Sequence, residues 1–201
     1  MRRAREYRKM SRDTLGNGIF TDKWMWALLA LFVESLLLGL VSATGVGIIV
    51  TIVIAGPLAY GTIAIFLRAA RGEDERADLN HLFDGFKEKF GESFLTELLC
   101  TIFIFLWSLL LIIPGIIKSY SYAATMYIVR EKGLSGTDAI TLSRKIMKGK
   151  KWKLFCLQLS FIGWYLLGLL CFGVGVLWVN AYQQMAVTHF MEDALNEVTV
   201  E

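Results

Sequence analysis

Apolar positions form long runs separated by two kinds of break. The runs 24–44, 47–67 and 93–113 each match the roughly 20 apolar residues that a helix needs to cross a bilayer core. Three further stretches, 115–129, 152–172 and 174–190, continue the pattern. The fourth and sixth runs in chain order are short and carry polar side chains, as expected of spans buried in a bundle. The breaks alternate between tight turns, at Gly45-Val46-Gly47, Pro114-Gly115 and Gly173-Val174-Gly175, and charged segments of about twenty residues. The pattern predicts an all-α membrane protein with six transmembrane helices in three hairpins. Its outer turns fall at Gly45, Gly47, Pro114, Gly115, Gly173 and Gly175.

The hairpins repeat in sequence. Trp24 stands 23 residues before Gly47 and Trp152 the same 23 before Gly175, and Glu92 keeps this spacing from Gly115. Tyr122 and Tyr182 each follow their turn glycine by seven residues. This register predicts three parallel units, 1–72, 73–132 and 133–192, followed by a short acidic tail at 193–201, all within one transmembrane domain. A cytoplasmic basic or amphipathic segment precedes each hairpin. In the second, Leu79, Leu82, Phe83, Phe86 and Phe90 mark one face of a helix lying flat on the membrane. In the third, a capping-box-like start at Ser135 leads to a helix stopping near Gly149, and the first is basic but weakly amphipathic. Small residues such as Gly56, Gly61 and Gly168 suit close helix contacts, and Pro57 is expected to kink the second span.

Composition agrees with a membrane setting and charge supplies the orientation. Of 201 residues 55% are hydrophobic, an excess that must face lipid. Twenty of the 21 Lys and Arg fall in 1–23, 68–92 and 130–153, which places both termini and both long loops in the cytoplasm. Lys118 alone lies near a predicted outer turn. The first apolar run is too long for a signal peptide. Cys100, Cys156 and Cys171 sit in apolar runs without metal-binding spacing and read as reduced packing residues.

The run from Phe103 through Pro114-Gly115-Ile116-Ile117-Lys118 to Tyr120-Ser121-Tyr122 resembles a bacterial membrane family, domain-of-unknown-function family nine-seven-five. So do Leu142-Ser143-Arg144, Met147-Lys148-Gly149, Lys151-Trp152-Lys153-Leu154-Phe155 and the segment from Ser160-Phe161-Ile162-Gly163 to Gly168. More distantly, the Pro-Gly turn and the basic helix ending in Gly are similar to the membrane domain of some glycerophosphodiester phosphodiesterases. The closer resemblance implies a multipass protein of the bacterial cell membrane and assigns no activity. Members of that family often carry a proline near the middle of the fourth span, where this chain has Ala124-Thr125-Met126.

Ionisable groups within spans are costly and therefore candidates for function. Glu34 lies mid-span in the first helix, with Lys118, Tyr122, Asn180, Gln183 and Gln184 at overlapping depths, and together they would line a polar site. A Glu34–Lys118 pair would form if the first and fourth spans meet. Alternatively Lys118 snorkels outward, Glu34 is satisfied within the bundle, and the amides join helices by hydrogen bonds. His189 and Glu192 are one turn apart but supply too few ligands for a metal. No nucleophile elbow, HExxH, Walker loop or dinucleotide fingerprint is present, so neither an enzyme nor a cofactor is expected. The basic loops suit anionic lipids, and their interspersed acidic residues argue against nucleic acid. Two functions remain in view: a non-enzymatic component binding protein or lipid partners, and a small transporter or channel with a midplane site around Glu34.

Overall fold

In a computed structural model, which describes residues 2–16, 22–42, 47–73, 79–110, 112–170 and 174–199, the described chain is helical with no strand. The helices are α1 (Ala4–Leu15), α2 (Asp22–Ser42), α3 (Gly47–Arg71), α4 (Asp84–Lys87), α5 (Phe90–Leu110), α6 (Ile112–Tyr122), α7 (Thr125–Lys132), α8 (Gly136–Ile146), α9 (Lys151–Leu159), α10 (Ile162–Leu170) and α11 (Val174–Thr199). A 3₁₀ turn, Leu79–Phe83, leads into α4. Gly45 and Gly173, two of the expected turn residues, lie outside the described residues.

Among the described residues four helical segments are long and apolar enough to cross a membrane: Lys23–Leu40, Val50–Arg71, Phe90–Leu109 and Lys151–Leu170. They correspond to the first, second, third and fifth expected spans. The fourth differs because the helix breaks at residues 123 and 124, leaving α6 and α7 as pieces of 11 and 8 residues. The sixth, α11, is long enough at 26 residues, but Asn180, Gln183, Gln184, His189 and Glu192 lower its hydropathy. The fifth is itself interrupted between Leu159 and Ile162. Helices α2 with α3, α5 with α6, and α10 with α11 pack as sequential pairs.

The centre is closely filled. Phe66 of α3, Ile128 of α7, Ile146 of α8 and Phe190 of α11 are fully buried there, joined by Tyr7 and Leu15 of α1. The first basic segment is thus a regular helix with one buried stripe, Tyr7, Ser11 and Leu15, spaced at i, i+4 and i+8. Its start is capped by Glu6, whose carboxylate accepts from the Arg3 amide at 2.9 Å. It is tied to α11 by the Tyr7 hydroxyl donating to Asp193 at 2.9 Å and the Tyr182 hydroxyl donating to the Arg8 carbonyl at 2.8 Å. Burial and the adjacent Asp193 carboxylate push the Tyr7 phenol up from its ordinary range.

The second amphipathic segment is not one flat surface helix. Its 3₁₀ turn and the short α4 fold back onto α3, burying Leu82, while Phe83 and Phe90 stay about 40% exposed (41% and 42%). Two glycines permit this approach. A Cβ on Gly61 would overlap the Leu82 backbone, and one on Gly85 would overlap Pro57. Helix α3 runs through Pro57.

The third basic segment forms α8 as a true helix and turns at Gly149, which adopts φ 77°. Its first amide, Gly136, donates to the Thr96 hydroxyl at 2.7 Å, so a neighbouring helix supplies the partner that a Ser135 side chain does not.

Candidate functional site

Two polar concavities contain the singled-out residues. The first is an open recess of about 330 Å³ between α2, α10 and α11. Leu31, Glu34, Ser35 and Leu38 contribute from α2, Tyr165 from α10, and Leu177, Asn180, Gln183 and Gln184 from α11. The helical period explains the set on α2, since positions 31, 34, 35 and 38 share one face. The same period aligns 177, 180 and 184 on α11.

Within this recess Glu34 Oε2 accepts a 2.8 Å hydrogen bond from the Thr62 hydroxyl of α3. Asn180 Oδ1 accepts from the Tyr165 hydroxyl at 2.5 Å. The Gln183 side-chain oxygen is buried and has no hydrogen-bond partner among the described residues. An unpartnered buried acceptor costs about 1–3 kcal/mol, and Gln183 is also one of the residues lining the recess.

The second concavity, about 400 Å³, lies between α6, α8 and the start of α9. Lys118, Arg144, Lys145, Lys148 and Lys151 line it together with Ser121 and Thr141. Helix α8 is fastened to α6 by the buried Ser143 hydroxyl donating to the Ser121 carbonyl at 2.9 Å. The Lys118 ammonium lies over the Trp107 ring of α5, 4.2 Å from its centroid.

The structure therefore brings Glu34, Asn180, Gln183 and Gln184 to one place and sends Lys118 to another. Lys118 meets the basic residues of α8 and α9 instead of Glu34. Tyr122 also lies apart: it is buried with Cys100 and Ile140, its ring 6.4 Å from that of Phe103. Of the expected turn residues, Gly47 opens α3, Pro114 and Gly115 lie inside α6, and Gly175 lies within α11 against Gly168. His189 contacts Thr14 at 2.9 Å, and Glu192 binds Arg71 at 2.8 Å.

Sequence reasoning missed Thr62, Ser35 and Tyr165. Tyr165 had a readable signal, because it stands eight residues before Gly173 and Asn180 seven after it, the register of facing positions in a hairpin. Thr62 had none of that kind. It lies 17 residues after Gly45 while Glu34 lies 11 before, so the pairing depends on the stagger of α2 against α3.

The described residues thus define a helical protein with four segments able to cross a membrane, a packed centre and two polar concavities. A family model described as protein of unknown function (DUF975) matches residues 1–123 and 109–197, and the chain belongs to that family. Neither a curated protein nor a solved structure matches the chain.

Proposed function

We propose that the chain is a multispan protein of the bacterial plasma membrane that acts by binding and not by catalysis. A hydrogen-bond-donating group of a protein or lipid partner occupies the recess at Glu34. The observation carrying this reading is the buried, unpartnered Gln183 oxygen beside Asn180 and the Glu34 carboxylate. Glu34 and Asn180 already accept one bond each, from Thr62 and Tyr165, and keep further lone pairs, while the unpaired Gln183 oxygen in an apolar surrounding favours a donor. The side chains filling the bundle centre favour binding over transport, since the recess is a lateral feature of α2, α10 and α11.

The architecture in this reading is three parallel units, 1–72, 73–132 and 133–192, each inserting a hairpin from the cytoplasmic side, with both termini cytoplasmic. The paired packing of α2 with α3, α5 with α6 and α10 with α11 supports it. The first and third hairpins cross, whereas the second enters only part of the way. Lys118 is grouped with the cations of α8 and α9, and α6 rises only about 9 Å from Ile112 to Lys118 at 1.5 Å per residue. A hydrocarbon core of about 30 Å exceeds that rise whatever the helix tilt. Five cations sunk within the core would each cost several kcal/mol.

A photoreactive amino acid at the exposed Ser35 tests the binding reading in native membranes. A discrete adduct that Gln183→Leu removes is expected. Diffuse phospholipid labelling that is the same in both proteins would contradict it.

A further inference from the structure

We propose that the cavity between α6, α8 and α9 is a binding site for the phosphate group of an acidic membrane phospholipid. Packing assembles its charge from three separate elements: Lys118 on α6, Arg144 and Lys145 on α8, Lys148 in the following turn and Lys151 opening α9. Among the described residues no carboxylate lines this cavity. Like charges repel, by about 0.5 kcal/mol for a pair 8 Å apart even in a water-like dielectric. The fold nevertheless fastens them together through Ser143 and Ser121, and the positive-φ turn at Gly149 brings Lys151 back beside Lys148. An anion with several acceptor oxygens relieves that repulsion. Phosphate fits it best, because Arg144 offers a planar fork and the lysines offer point charges.

The surroundings point to a lipid as the source of the phosphate. On α6, Ile116 and Ile117 adjoin Lys118 and are about half exposed (50% and 49%), and Trp152 next to Lys151 is 71% exposed. A charged hollow flanked by exposed apolar side chains matches a headgroup with its acyl chains. Lys118 over Trp107 is held in position for this contact. The site is separate from the recess at Glu34, and the two proposals stand or fall independently.

The test uses the full chain in nanodiscs of phosphatidylcholine, titrated with phosphatidylglycerol and, separately, with inorganic phosphate. Native mass spectrometry would count the retained acidic lipid. Phosphatidylglycerol is expected to bind discretely, Arg144→Gln and Lys118→Gln are each expected to weaken it about tenfold, and Arg144→Lys should recover part of the loss. Lys153→Gln, at an exposed lysine outside the cavity, should leave binding unchanged. Each variant's thermal unfolding would be recorded so that misfolding is recognised; if both Gln variants unfold, salt titration of the wild type replaces them and must weaken binding. Loss equal in Lys153→Gln, or no loss in either cavity variant, would overturn the site. Inorganic phosphate displacing the lipid at equal concentration would overturn the lipid as its source.

Discussion

The ammonium of Lys118 on α6 stands 4.2 Å from the centroid of the Trp107 ring on α5, directly across the tip of the second hairpin. The same lysine shares a cavity with Arg144, Lys145, Lys148 and Lys151. This ties the hairpin tip to the basic segment proposed above to be cytoplasmic.

A cysteine at the exposed Ile113 should accordingly resist an impermeant thiol reagent applied from outside the cell. In the same cysteine-free background, cysteines at Val46 and Val174 should react. External labelling at Ile113 would mean that the second hairpin crosses fully.

The approach of α4 to α3 depends on Gly61 and Gly85, where an added Cβ would overlap backbone atoms of Leu82 and Pro57. Overpacking of this kind costs about 1–3 kcal/mol. Gly61→Ala and Gly85→Ala should each lower the thermal unfolding midpoint in detergent. Gly163→Ala, which meets open space, should not.

Three of the four segments able to cross a membrane were legible as uninterrupted apolar runs, since hydropathy over twenty residues reports a span without knowledge of its neighbours. The break after Tyr122 was not, because Ala123 and Ala124 carry no breaker signal. Helix α1 was harder to read because only Tyr7, Ser11 and Leu15 are buried, and one of the three is polar. Glu34, Asn180 and Gln183 were identifiable as polar groups in apolar surroundings. Their separation from Lys118 was not, since it depends on which helices touch. Shared depth along a span restricts possible partners without choosing among them.

Arg71 joins three elements, with Nη2 at 2.6 Å from Glu131 of α7 and Nε at 2.8 Å from Glu192 of α11. These side chains are partly exposed, which limits the contribution to about 1 kcal/mol. Arg71→Ala should reduce thermal stability by that order, and added salt should narrow the gap from the wild type. An equal gap at low and high salt would show that lost packing, not charge, is responsible.

Lys150 donates to Glu197 at 2.8 Å and is the largest cause that lowers its carboxyl, to about 2. Because the folded value lies below the ordinary value of 4.5, the contribution is present above that pH. It fades as pH falls from there through about 2. Unfolding midpoints followed through this acid window should fall less in Glu197→Gln than in the wild type. Parallel curves would remove Glu197 from the account of acid sensitivity.

The most direct test of the binding reading is adduct yield from the photoreactive group at Ser35, compared among wild type, Glu34→Gln and Glu34→Leu with the midpoint of thermal unfolding measured alongside. The bond to Thr62 is of a kind worth only about 0.6 kcal/mol within membranes, so both variants should remain folded and abundant. The account predicts that Leu loses the discrete adduct completely and Gln, which keeps one acceptor oxygen, loses part of it, while their unfolding midpoints stay close to that of the wild type. Full adduct yield from a stable Glu34→Leu protein would contradict it and leave Glu34 as a structural partner of Thr62.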